Sequence, residues 1–398
     1  MDVPRSRGRV GIAVATLVAC ATLGLVLAGA GDATPAQGAA KSRQGKIVFV
    51  RYDGSDDEIY VMNARGGGEQ QLTDNDVPDR GPSFSGNGKR IAFTSSRNGG
   101  DDDIFVMKAN GKDETQVTIG PEASDDDYGA DFSPDGRRIA FVSTRDDDDD
   151  HIFVMRANGS DVHRLTSGAA ELGPKFSPNG KQIVYTDYTG GDGEIAVMKV
   201  NGDRRHAVTT NGFDDRAAEF SNDGKRILFS SYRDDSYEIF TMKRNGGDQE
   251  GLTTGEEFED SVGPDMTLDG RNRVLFHRNV DLLYNEVMSM KPNGNDVRQL
   301  TNNDIDDRAP DPVPTLKCAG KFATIIGTNK SEKLKGWSGK DVIAGLGGND
   351  KIAGAGKKDV LCGGKGKDKL DGGPGKDVCD GGPGDDTAKA CTKLRAVP

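Results

Sequence analysis

Between Lys46 and Thr301 short apolar runs alternate with polar turns, and the alternation itself recurs. The segment FSGNGKRIAFTSSR at Phe84 returns as FSPDGRRIAFVSTR at Phe132, FSPNGKQIVYTDY at Phe176, FSNDGKRILFSSYR at Phe220 and, degraded, MTLDGRNRVLFHRN at Met266. The steps are 48, 44, 44 and 46 residues. Each copy predicts four strands. A short strand ends in Phe-Ser, a Pro/Asn-Asp/Asn-Gly turn reverses the chain, and a run of the RIAF type forms the second strand. An acidic loop leads to a third strand of the DIFVM or EIYVM type, and an Asn-Gly turn delivers a last strand ending in Leu-Thr. Four strands in about 45 residues is the arithmetic of a propeller blade.

The two ends of this repeat fit each other. The first unit starts at KIVFVR without an inner strand, and after Thr301 the chain continues as NNDIDDRAPDPVP, which aligns with DRGPSFS and DRAAEFS at the start of other blades. Residues 308–314 are therefore expected to supply the missing strand of blade one. The result is six blades within residues 45–315, with no open sheet edge at the seam.

A shorter period takes over at the end. Glycine recurs every nine residues at 327, 336, 345, 354, 363, 372 and 381, and an acid follows five places after each. From Gly336 the nonads read GWSGKDVIA, GLGGNDKIA, GAGKKDVLC, GGKGKDKLD, GGPGKDVCD and GGPGDDTAK. Six residues make a tight turn and three a short strand with one apolar side chain pointing inward, so residues 318–398 are expected to wind into a parallel roll. The fold class is all-β: a six-bladed β-propeller followed by a small parallel β-roll.

Turns of such a roll alternate sides. Asp341, Asp359 and Asp377 are expected to stack on one flank, and Asp350, Asp368 and Asp386 on the other. With Gly339, Gly348, Gly366, Gly375 and Gly384 of the same turns they form the candidate metal site. Hard oxygen donors suit calcium, Ca2+, better than zinc or copper. One buried Ile or Leu per nine ordered residues is too little apolar burial to hold the coil, so ion binding is expected to be coupled to folding. The glycine-complete nonads at 363, 372 and 381 are the best sites, and the one at 327, with Lys330 in its fourth position, is expected to be metal-free. Lys340, Lys365, Lys367 and Lys376 crowd the turns and lower cation affinity.

The longer repeat, F-S-P-D-G-x-x-I-A-F followed by I-[YF]-V-M and L-T, resembles the TolB-type family of propeller repeats, related in shape to WD-type propellers. The nonads resemble the hemolysin-type, or RTX, repeat G-G-x-G-x-D-x-U-x, where U is large and apolar. The second resemblance implies calcium. The first implies a binding module, although some similar propellers accompany peptidase domains or carry lyase activity.

Arg5, Arg7 and Arg9 precede an uncharged stretch from Gly11 to Gly31, which reads as a signal peptide over 1–30 with Ala28-Gly29-Ala30 at the cleavage site and a linker over 31–44. An uncleaved anchor, or lipidation at Cys20 in LVAC, are the rivals, and membrane contact is expected only in those cases. Cys318, Cys362, Cys379 and Cys391 remain, an even cluster that in an exported chain suggests two disulfides with three possible pairings. Cys379 stands at an inward position, which favours a buried bridge, with Cys391 as one candidate partner.

Charge divides the chain. Residues 41–317 hold 34 basic and 52 acidic side chains, a net of −18, and residues 318–398 hold 15 and 10, a net of +5. So acidic a surface repels nucleic acid and suits cations or basic partners. The acidic loops Asp53 to Glu58, Asp101 to Asp103, Asp146 to Asp150 and Asp234 to Ser236 share one propeller face. The blade connections with Asp74, Asp76, Asp125 to Asp127, Asp214, Asp215, Asp306 and Asp307 lie on that face as well. It is expected to bind a protein or glycan ligand. No G-x-S-x-G, H-E-x-x-H or P-loop occurs, and of the four histidines (His151, His163, His206, His277) His163 and His206 are expected on the surface. The expectation is a secreted, monomeric, non-enzymatic calcium-binding protein. The alternatives are a polysaccharide-active lyase or hydrolase on the propeller face, and a TolB-like envelope interaction module.

Overall fold

The computed structural model describes residues 45–52, 54–97, 100–119, 125–146, 149–233, 236–254, 261–266, 273–280, 284–312, 317–319, 321–323, 325–327, 331–336 and 340–396. The signal peptide and linker expected over 1–44, together with Cys20, Asp53, Asp147, Asp148, Asp234, Asp235, Lys330 and Gly339, lie outside these residues. No described residue is helical, and no described helix is long and apolar enough to cross a membrane.

Six four-stranded antiparallel sheets make the propeller. In the third blade the inner strand Asp127–Phe132 pairs with Arg138–Ser143, then His151–Arg156, then the two-residue strand His163–Arg164. The first blade takes its inner strand, Asp307–Pro312, from the far end of the repeat, with Ile47 opposite Pro312 and Arg51 opposite Asp307. That is the seam expected from the offset of the repeats. Between blades the packing is apolar. Ala92, Ile104 and Val106 of the second blade meet Phe132, Phe141, Phe153 and Met155 of the third, all buried.

Every inner strand carries a bulge at the same place. The register slips between Arg80 and Ser83, Tyr128 and Asp131, Leu172 and Lys175, Arg216 and Glu219, Val262 and Asp265, and Arg308 and Asp311. The bulge needs positive φ, which Gly81, Gly129, Gly173 and Gly263 supply freely and Ala217 and Ala309 adopt at φ 52° and 48°. A bulge re-aims the side chains that follow it, here towards the central channel.

The end of the chain is a parallel coil of 18 residues per turn. Val342–Ala344, Val360–Cys362, Val378–Asp380 and Lys393–Arg395 stack in one sheet, and Lys333–Lys335, Lys351–Ala353, Lys369–Asp371 and Thr387–Lys389 in the other. Leu334, Ile343, Ile352, Leu361, Leu370 and Cys379 fill the narrow core between them. Of the three possible pairings the cysteines adopt Cys318–Cys362 and Cys379–Cys391.

Candidate metal centre and propeller channel

Two aspartate ladders run along the flanks of the roll. The N–H of Asp341 donates to Oδ1 of Asp359 at 2.9 Å, and the N–H of Asp359 to Oδ1 of Asp377 at 2.8 Å. On the other flank Asp350 donates to Asp368 at 2.7 Å and Asp368 to Asp386 at 2.8 Å. All six side chains are buried. The second oxygen, Oδ2, of Asp350, Asp359, Asp368, Asp377 and Asp386 is buried with no hydrogen-bond partner. Burial, with repulsion from Asp368 and Glu332, pushes Asp350 up to about 6; burial, with Asp341 and Asp377, does the same to Asp359. Asp368 is raised by burial and by Asp386.

The glycines explain why the turns stack so closely. A Cβ on Gly363 would meet Oδ2 of Asp368 at 2.3 Å, and one on Gly381 would meet Oδ2 of Asp386 at 2.5 Å. At the fourth nonad position a Cβ on Gly366 would lie 1.8 Å from the Gly348 carbonyl oxygen, on Gly375 1.6 Å from that of Lys357, and on Gly384 1.5 Å from that of Gly366. Carbonyl and carboxylate oxygens thus converge between coils. Among the described residues no three His, Cys, Asp or Glu side chains form a metal-holding group by themselves. An ion here takes main-chain carbonyls together with aspartates. Stranded buried anions beside close-packed carbonyls fit a hard divalent cation, and calcium by donor chemistry.

The propeller's acids depart from expectation. Many of those placed on the acidic rim turn inward and pair with arginines, chiefly of their own blade. Asp307 holds Arg51 at 2.6 and 2.7 Å, Asp127 holds Arg145 at 2.6 and 2.7 Å, and Asp57 accepts from Arg308 at 2.6 Å and Arg80 at 3.0 Å. Arg51 and Arg145 each lie over two aromatic rings as well. Glu58, Asp103, Asp125 and Asp215 are also buried. The physical reason is that in four blades the Asp opening the inner strand (Asp79, Asp127, Asp215 and Asp307) lies beside an Arg at the end of the next strand, so the pair seals the blade end. What stays exposed is a thinner set, Asp74, Asp76, Asp126, Asp146 and Asp149, to which Asp192 and Asp304 of the same loop classes add. His163 and His206 are exposed, as expected, whereas His151 is buried with Nδ1 2.9 Å from Oε2 of Glu171.

A second charged constellation escaped the sequence reading. Just past the bulges Ser83, Asp131, Lys175, Glu219, Asp265 and Asp311 ring the channel, between a cavity of about 110 Å³ on the Ser-Pro-Asp-Gly side and one of about 210 Å³ on the other. Burial, then Asp265, raises Glu219 and Asp311 well above the usual carboxylate range. Burial alone would lower Lys175, but Asp131 at 3.6 Å and Asp265 at 3.9 Å outweigh it and hold the ammonium charged. The signal was present: the residue before each Phe-Ser or its equivalent is Ser, Asp, Lys, Glu, Asp, Asp in turn, polar at one fixed step of every repeat.

Comparison with known proteins agrees with this architecture. The TolB beta propeller domain matches residues 39–216 and 170–317, and the RTX calcium-binding nonapeptide repeat matches residues 326–361 and 354–388. Among curated proteins none matches the chain. Among solved structures, TolB from Acinetobacter baumannii superposes with a TM-score of 0.58 at 20% identity, over 68% of this chain and 66% of that one. A TolB-type protein from Agrobacterium tumefaciens gives 0.55 at 17% identity, over 67% and 91%. A chain of a nidogen/laminin complex gives 0.54 at 12%, over 69% and 100%. At these identities the structures speak for the fold alone.

Proposed function

Because the chain belongs to the TolB β-propeller family and ends in RTX calcium-binding repeats, we propose that it is an exported, non-enzymatic interaction protein whose roll is loaded with calcium and whose propeller receives a partner protein. The observation that carries the calcium half is the set of five buried carboxylate oxygens without a hydrogen bond. Asp341, Asp350, Asp359, Asp368, Asp377 and Asp386 would hold the ions, helped by carbonyls such as those of Gly348 and Gly366. The ion supplies the positive charge that these stacked carboxylates lack. Two disulfides support export, since such bonds persist in oxidising compartments.

The partner half rests on the propeller end that carries the blade connections. Tyr52, Phe213, Tyr232 and Tyr284 are partly exposed there beside Asp74, Asp76, Asp126, Asp146, Asp149 and Asp304. Aromatic rings among carboxylates suit a basic protein surface, with arginine or lysine over the rings. Calorimetric titration of the full-length protein with calcium, followed by pull-down with and without chelator, tests both halves. Absence of calcium heat removes the first. Loss of no captured protein on Tyr232→Ala with Phe213→Ala removes the second.

A further inference from the structure

The two outer faces of the roll are built from the same repeat position and have opposite chemistry. In one sheet the residue before the inward apolar side chain is Val342, Val360 and Val378, stacked in parallel register. That face is covered: Cys318 and Ala323 are buried against Ala344 and Val360, and Cys318 is bonded to Cys362. In the other sheet the same position is Lys333, Lys351 and Lys369, also in register, and all three are exposed. Neighbouring strands lie about 4.8 Å apart, so the three ammonium groups rise along a line about 10 Å long.

Nothing on this face neutralises them. Lys335 and Lys389 stand on it too, and its one acid, Asp371, is held by Lys389 at 2.9 Å. Among the described residues Lys333, Lys351 and Lys369 have no ion pair. Some exposed cations elsewhere do pair, Lys243 with Asp248 and Arg298 with Asp296, but what sets these three lysines apart is their stacking in register on one face. Like charges stacked across strands destabilise a sheet, so a solvated surface alone gives no reason to keep lysine at three successive coils. A ligand with a matching row of negative charges does.

We propose that this lysine ladder binds a linear anionic polysaccharide, a carboxylated or sulfated glycan lying along the stacking direction. A flexible glycan engages a strip three coils long and leaves the propeller, with its net −18 over residues 41–317, behind. Duplex nucleic acid, with a charge about every 1.7 Å and a stiff axis, drives a long row of phosphates past that acidic body. Single-stranded nucleic acid needs aromatic platforms, and the face is Lys333, Lys335, Lys351, Ala353, Lys369, Asp371, Thr387 and Lys389, without one. A bilayer wants an apolar wedge beside the cations, which Ala353 does not supply.

The test measures binding of the full-length protein, in calcium buffer, to immobilised heparin (sulfated) and hyaluronan (carboxylated), with neutral dextran and duplex DNA as comparators, over a salt series. The expected result is retention on at least one charged glycan and none on dextran; retention on hyaluronan shows that carboxylates suffice, and retention on heparin alone shows that sulfate is required. The K333Q/K351Q/K369Q variant should bind at least about tenfold more weakly, with the slope of log affinity against log salt reduced by roughly 2 to 3 at about 0.7–0.9 per contact. K333R/K351R/K369R should bind like the parent, which separates charge from folding, and K46Q/K89Q/K112Q on the propeller should change nothing. No retention on either glycan, parent-like binding by the glutamine variant, or tighter ladder-dependent binding to duplex DNA would each overturn the assignment. These outcomes do not depend on whether the propeller captures a protein partner.

Discussion

The N–H of Asp359 donates to Oδ1 of Asp377 at 2.8 Å, while Oδ2 of Asp377 is buried without a hydrogen bond. One oxygen of the carboxylate stacks the coils, and the other is left for an ion. The two roles can be separated by removing the charge and keeping the shape. In Asp359→Asn the side-chain carbonyl still accepts from Asp341, and a buried charge between Asp341 and Asp377 disappears. Without calcium the variant should be as stable as the parent or more so, by on the order of 1–2 kcal/mol. With calcium it should gain less than the parent does. Thermal unfolding with and without chelator measures both; an equal loss in the two conditions would mean the carboxylate is only a stacking element.

Two nonads place three side chains where left-handed backbone is required. Leu346, Ala355 and Lys357 have φ of 75°, 74° and 69°. Left-handed backbone costs about 1–2 kcal/mol outside glycine. Ala355 is exposed, so Ala355→Gly should relieve strain without opening the core and stabilise the roll by roughly 1 kcal/mol. Gly363→Ala should do the reverse, because its Cβ would meet Oδ2 of Asp368 at 2.3 Å. Chemical denaturation of the two variants should give shifts of opposite sign.

The disulfides close loops of different size. Cys318–Cys362 spans 44 residues and Cys379–Cys391 spans 12. Loop-closure entropy gives about 4 and about 3 kcal/mol respectively. Paired Cys→Ala replacement of the first should also release the 317–323 segment from the valine face. Limited proteolysis should then cut near residue 320 at low protease, whereas removal of the second bridge should loosen only the last coil.

His277 lies near Gly263, and its Nδ1 is buried without a partner. Burial, with Arg308 and Arg216 adding repulsion, pushes it down to about 4. A depressed histidine adds stability that is complete above its unfolded value near 6.5 and is lost as pH falls from there towards 4. The full difference is on the order of 3 kcal/mol. His277→Thr, which places the residue found at the equivalent Thr94 and Thr186, should flatten the stability profile between pH 6.5 and 4. A variant with an unchanged slope would assign the acid sensitivity to other groups.

Much of this was legible before any coordinates. Recurrence of Phe-Ser-Pro-Asp-Gly gave the blades, the misaligned ends of the repeat gave the seam, and glycine every ninth residue gave the roll and its two ladders. The inward turn of the propeller acids was not, because turn-forming Asp and strand-opening Asp look alike in composition. Their partners do give them away: Arg51, Arg97, Arg145 and Arg233 each stand at or just past the end of a second strand, in step with Asp307, Asp79, Asp127 and Asp215. The cysteine pairing depends on where the 317–323 segment folds back, a contact between segments 44 residues apart that periodicity does not encode.

The strand that completes the ring, Asp307–Pro312, is also the one from which the roll departs. Tension on the roll, such as a polymer gripped by its lysines would exert, therefore reaches the propeller first at the latch between Lys46–Tyr52 and Asp307–Pro312. Arg51 on Asp307 and Arg308 on Asp57 clamp that latch at one end. A pull strong enough to undo it would open the ring at its first blade and leave the other five intact.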